Sequence, residues 1–165
     1  MALGKALEKL RRDLIRSTKR AAFETQRKAA VRVVNDLKSL GPYYAGYFEL
    51  AWEVRLGNVE VPADQQSGPR QKDPKSSYAP RRPVSPMTLS DIPDARLTYK
   101  SQVPALTIGN RMSYRDLALD LVPGRLKDEQ GGSAPQDWYL TYYGAGGFEK
   151  AVRGAIDELI LIPDK

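Results

Sequence analysis

GPYYAGYFELAWEVRL, from Gly41 to Leu56, is the stretch on which the fold turns. From Tyr47 onward it alternates: Phe48, Leu50, Trp52, Val54 and Leu56 fall on one side, and Tyr47, Glu49, Ala51, Glu53 and Arg55 on the other. A period of two, rich in aromatic and branched side chains, predicts a half-buried strand. Immediately upstream, residues 3–38 contain no proline and only one glycine, Gly4, and their apolar positions recur at helical spacing. Leu3, Leu7, Leu10 and Leu14 form one stripe. Ala22, Ala29, Ala30, Val33, Val34, Leu37 and Leu40 continue it beyond a potential break at Ser17-Thr18. One long helix or two consecutive ones are predicted, ending at Gly41-Pro42, where glycine stops a helix and proline prevents its resumption.

Downstream, Val59 and Val61 either extend the strand or return across Gly57-Asn58 as a hairpin arm. From Pro62 to Pro93 prolines recur among Ser, Gln, Lys and Arg. Such a stretch is either a mobile linker or an arm laid against a neighbouring subunit, since proline lowers the entropy lost on docking. Candidate interface residues there are Pro62, Pro69, Pro74, Tyr78, Pro80, Arg81, Arg82, Pro83 and Pro86. Strand-like alternation returns in Arg96–Lys100 and in Ala105–Ile108, the latter ending at the turn dipeptide Gly109-Asn110. Tyr114–Leu121 fits a short helix or a strand and closes at Pro123-Gly124; Trp138–Tyr143 fits a strand or the apolar lead-in to a helix. Phe148, Ala151, Val152, Ala155, Leu159 and Ile160 define a final amphipathic helix, begun at Gly146-Gly147 and ended by Pro163. Helix, strands, helix in that order predict an α+β chain: a long N-terminal helical region, a small mostly antiparallel sheet with a long proline-rich insertion, and a closing helix. All 165 residues are expected to form a single domain.

Composition narrows the chemistry. The chain has no cysteine and no histidine. There is thus no disulfide framework or thiolate, and neither the commonest general base nor the commonest transition-metal ligand. No apolar run reaches the roughly 18 residues needed to span a bilayer, and MALGKALEKLRR lacks a signal-peptide core, which predicts a soluble protein away from membranes. Charge is unevenly placed: residues 1–40 hold eleven Lys or Arg against four acids, more than the entire net charge of +6. Either these cations form a solvated helix face, or they meet something anionic. The candidate contacts to DNA or an acidic partner are Arg11, Arg12, Arg16, Lys19, Arg20, Arg27 and Lys28.

Tests for catalytic motifs fail. Gly41 and Gly46 have phosphate-loop spacing, but Tyr47 and Phe48 stand where Lys and Ser/Thr are required. Gly144-Ala145-Gly146 precedes a helix, yet Glu149 replaces the third glycine of a dinucleotide loop and no βαβ unit can follow. Asp116 with Asp120, and Asp157 with Glu158, offer too few oxygens for a magnesium site, and no Ser is followed three residues later by Lys. Tyr43, Tyr44, Tyr47, Tyr139, Tyr142 and Tyr143 suit either a binding surface or the core. No catalytic, cofactor or metal site is expected.

Taken in order, these features resemble the neck or tail-completion proteins that join head to tail in long-tailed double-stranded DNA phages. Pro42, Gly46, Phe48 and Trp52 match that family's Pro-x-x-x-Gly segment and aromatic strand. Ile108, Asn110 and Tyr114 match its strand ending in Asn with a following Tyr, Gly124 its later glycine, and Gly147-Phe148 to Ile160 its closing helix. Ala45-Gly46 replaces the usual Thr-Gly or Ser-Gly, the acid before the later glycine would be Asp120 at a longer spacing, and the insertion from Pro62 to Pro93 is longer than in the family pattern. The resemblance implies a non-enzymatic virion protein of the neck, made in the host cytoplasm. It also implies a ring of six around the DNA channel, in contact with other neck and tail proteins and with genomic double-stranded DNA. The alternative from the residues alone is a nucleic-acid-binding module that uses the basic first helix.

Overall fold

The computed structural model describes residues 2–41, 47–65, 85–113, 115 and 138–160. Helix α1 runs unbroken over Ala2–Leu40, so Ser17-Thr18 is not a break. The Thr18 hydroxyl instead donates back to the Leu14 carbonyl one turn earlier (3.0 Å), which keeps the turn intact. A single turn, α2 (Tyr47–Leu50), precedes strand β1 (Trp52–Leu56), which pairs antiparallel with β2 (Leu106–Asn110). The register sets Trp52 opposite Asn110 and Leu56 opposite Leu106. A 3-10 turn at Leu89–Asp91, helix α3 (Trp138–Gly144) and helix α4 (Gly147–Ile160) complete the α+β arrangement.

The core lies between the C-terminal half of α1 and everything else. Ala30, Val33, Val34 and Leu37 are buried on one face of α1 against Phe48, Ala51, Trp52, Val54, Met87, Ile92, Met112, Trp138 and Ala151, and Phe23 is buried further along the helix. Phe48 anchors it, meeting Trp52 edge-on at 5.7 Å and Trp138 at 6.3 Å between ring centroids. Helix α4 packs along α1 through Ala151 and Ala155, whose small side chains permit close approach.

Several sequence-based expectations are corrected. The strand begins at Trp52 rather than Tyr47, because Phe48 to Leu50 turn helically; that leaves Leu50 exposed and Glu49 buried, the reverse of the alternation. Gly109 and Asn110 lie inside β2 and form no turn. Neither Val59 nor Arg96–Lys100 is in a strand, and Val61 is buried without being one. Of the two alternatives for Trp138–Tyr143, helix is the one adopted. Leu3, Leu7, Leu10, Leu14, Ala22 and Leu40 are exposed, whereas Phe23, absent from the predicted stripe, is fully buried.

The end of the proline-rich stretch also differs from an arm reaching outward. Residues 85–101 run antiparallel along α1 of their own chain, held by side chains that project from the helix. Lys38 donates to the Ser85 carbonyl, and the Asn35 amide exchanges two hydrogen bonds with the Met87 backbone (3.0 and 2.7 Å). Arg27 donates to the Leu89 and Ile92 carbonyls (2.8 and 3.0 Å). Arg20 grips the Asp94 carboxylate with both terminal nitrogens (2.7 and 3.2 Å), and Lys19 donates to the Tyr99 and Ser101 carbonyls (2.7 and 2.6 Å). An irregular segment has no ladder to satisfy its carbonyls, so the helix supplies the donors. Of the candidate interface residues, Pro86 is exposed and Pro62 half-buried. Pro69, Pro74, Tyr78, Pro80, Arg81, Arg82 and Pro83 lie outside the described residues, as do Pro42, Gly46, Tyr114, Gly124 and the pairs Asp116/Asp120 and Pro123-Gly124.

Candidate partner interface

The cations of α1 divide into two groups by what they touch. Lys19, Arg20, Arg27 and Lys28 are engaged in holding the chain together. Arg27 is 8% exposed, sits between the two carbonyls named above, and pairs with Glu24; it is unavailable to any outside partner. Lys28 pairs with Glu158 of α4 (3.3 Å), beside Arg32, which bonds the same carboxylate. Those contacts hold the Glu158 carboxyl below its ordinary range, chiefly through the Arg32 hydrogen bond. Arg20 does the same to Asp94.

Arg11, Arg12 and Arg16 belong to the second group, together with Lys5 and Lys9. All five are exposed on the N-terminal half of the helix. Arg12 is oriented from both sides: its Nε donates to Glu8 (2.9 Å), and its guanidinium lies over the Tyr99 ring, 5.0 Å from the centroid. The hydrogen bond to Glu8, then the nearby Tyr99, raise its pKa above the ordinary value. Arg16 bonds Asp13 across one turn (3.2 Å). Lys5, Lys9 and Arg11 have no ion-pair partner among the described residues.

Four of these side chains line a groove of about 610 Å³ between α1 and Arg96–Tyr99. Its cations are Lys5, Lys9, Arg12, Arg16 and Arg96, against Glu8 and Asp13. The groove exists because Lys19 and Arg20 fix the 94–101 segment beside the helix and stop short of its first turns. Lys5, Lys9 and Arg96 were not among the sequence candidates. The first two were visible as part of the basic excess, but Arg96 joins the group only through the folding back of a segment whose pattern suggested a strand.

Of the family-motif positions, Trp52 and Asn110 come together directly, as opposite residues in the β1–β2 register. Asn110 is buried, donating to the Phe48 carbonyl (2.8 Å) and accepting from the Met112 amide (3.0 Å). It ties the one-turn helix α2 to the end of β2, a structural task. Burial, together with Asp36, pushes the Tyr142 phenol well above its ordinary pKa, consistent with a hydrogen-bonded core tyrosine. Among the described residues no three His, Cys, Asp or Glu side chains converge as a metal site, and no helix is long and apolar enough to cross a membrane.

No protein-family model, curated protein or solved structure matches the chain.

Proposed function

We propose that this protein is a structural, non-enzymatic subunit of a phage neck, joining head to tail as a ring of six around the DNA channel, in a tail-completion or terminator position. The observation that carries this reading is the division of labour on α1. One set of cations clamps the fold, and another, Lys5, Lys9, Arg11, Arg12 and Arg16, is presented on a projecting half-helix. A ring multiplies a modest cationic face, because every copy offers it to the same axis or to the same neighbouring ring. The order of basic helix, aromatic strand, strand ending in Asn110 and closing helix supports the same reading through the resemblance of the sequence to that family. The test is to image and weigh the purified protein alone and mixed with tail tubes or DNA-filled heads. Rings or particle-bound copies are expected; monomers under every condition would overturn the proposal.

A second reading, a nucleic-acid-binding module in its own right, is favoured by Lys5, Lys9 and Arg11, exposed cations without an ion-pair partner among the described residues. It requires the isolated protein to bind duplex DNA with an affinity that falls steeply with salt.

A further inference from the structure

One face of α1 carries a row of cations. From Lys5 it steps by three or four residues through Lys9, Arg12 and Arg16 to Lys19 and reaches Arg27 two turns further on. The far part of that row already receives an irregular polypeptide. Arg27 takes the Leu89 and Ile92 carbonyls, Arg20 the Asp94 carboxylate, and Lys19 the Tyr99 and Ser101 carbonyls. The run ends in a turn, where the Ser101 amide donates to the Thr98 carbonyl (3.3 Å) and the Tyr99 ring lies under Arg12. Past that turn the row continues from Arg16 to Lys5 along the groove of about 610 Å³, with Arg96 on the opposite wall.

We propose that this groove takes an extended acidic segment of a partner polypeptide, laid along α1 in continuation of residues 85–101. Its carboxylates would meet Lys5, Lys9, Arg16 and Arg96 as Asp94 meets Arg20, and its carbonyls the same donors as those of Tyr99 and Ser101 meet Lys19. From Lys5 to Arg16 the helix rises about 17 Å, which some five residues of extended chain span. Charge complementarity selects an acidic occupant, because the five cations of the groove exceed its two acids. Those acids, Glu8 and Asp13, favour a polypeptide over a phosphate backbone: a peptide brings amide donors that a carboxylate can accept from, whereas a phosphodiester brings only further negative charge. Arg12 is already oriented by Glu8 and Tyr99, which lowers the ordering cost of docking. The longest runs of acids in this chain are the pairs Asp128-Glu129 and Asp157-Glu158, so the segment belongs to another protein rather than to a second copy. The inference rests on the proposal above only for a neighbour that supplies the segment; the chemistry of the groove is independent of ring formation.

The test is fluorescence anisotropy of the full chain with a labelled peptide of alternating Glu and Ser, about ten residues long, at about 50 mM salt. Saturable binding is expected, and it should be lost when Gln replaces every Glu of the peptide. Lys5→Gln with Lys9→Gln should weaken it about tenfold, the sum of two exposed ion pairs, whereas Arg11→Gln, outside the groove, should change it less than about twofold. Both variants should keep the wild-type melting temperature, since these side chains are exposed. No binding, binding that survives the loss of both lysines, an equal loss with Arg11→Gln, or a DNA duplex that binds more tightly than the peptide through the same two lysines would each overturn the inference. Mass measurement of the same samples keeps the two proposals apart. Rings that bind no peptide overturn the groove assignment alone, and monomers that bind it through Lys5 and Lys9 uphold the groove assignment while counting against the ring.

Discussion

Gly109 sits in β2 with Val61 lying directly across it. A Cβ built there would come within 2.6 Å of the Val61 Cβ, backbone-proximal atoms that cannot swing aside. Gly109→Ala should therefore destabilise the fold by about 1 to 3 kcal/mol, measured by urea denaturation, through forced separation of the Val61 segment from the sheet. Arg27 makes a second residue-scale prediction. Replacing it with Ala strands the Leu89 and Ile92 carbonyls and leaves Glu24 without this partner, at a cost of about 2 to 4 kcal/mol. Arg11→Ala, on an exposed side chain without an ion-pair partner among the described residues, should change stability by less than about 0.5 kcal/mol. All three residues are plain in the sequence. What the sequence hides is that Arg27 falls in line with Phe23, Ala30, Val34 and Leu37, in the buried face. A cation there looks like an interruption of the stripe until its acceptors, sixty residues away, are in place.

For the elements, helix α1 is best treated as two halves with different support. The C-terminal half is buried along one face, whereas among the described residues the N-terminal half meets only the 94–101 segment, through Arg12 and, further along, Lys19 and Arg20. A half-helix with so little packing is marginal in water. Amide exchange near neutral pH is expected to be fast through about residue 15 and strongly protected from Phe23 onward. The Asp94 clamp gives a pH dependence with a definite sign. Its carboxyl is held below the ordinary value of 3.8, mainly by the Arg20 hydrogen bond, so the folded state binds a proton less readily than the unfolded chain. The stabilisation is complete above that ordinary value and is lost as pH falls through the lower folded value. Tyr99 near-ultraviolet circular dichroism should therefore weaken below about pH 4, and Asp94→Asn should remove part of the transition by loosening the segment at neutral pH. Glu158, depressed by Arg32 and Lys28, adds a contribution of the same sign at α4.

Over the whole molecule, the prediction concerns which cations face outward. Charge reversal at Lys5, Lys9 and Arg16 should abolish binding to duplex DNA or to an acidic ring while leaving the melting temperature within a few degrees. Reversal at Lys19 and Arg20 should lower the melting temperature, because it detaches the 94–101 segment. Fluorescence anisotropy across a salt series, paired with thermal melts, separates the two sets. If both sets affect binding and neither affects stability, the division of labour proposed for α1 does not hold.

The helical ends of the chain, the α+β class, the β1 and β2 regions and the basic excess on α1 were all legible in residue order, because period, helix stops and charge are local properties. Local pattern misplaced the start of β1, since Phe48, Leu50 and Trp52 alternate equally well whether or not the first two belong to a single helical turn. It also read Arg96–Lys100 as a strand, for an irregular segment whose carbonyls are met by Lys19 carries no periodic mark of that fact. The sequence by itself determined that a long basic helical region would be organised against an aromatic strand and a small sheet, without deciding between one helix and two. Tertiary structure alone decided which cations are spent on the fold and which are presented, and which leucines are buried and which left bare. Those outcomes depend on where α4 and residues 85–101 come to rest along α1, and a helix written as a string contains no information about how far its neighbours extend.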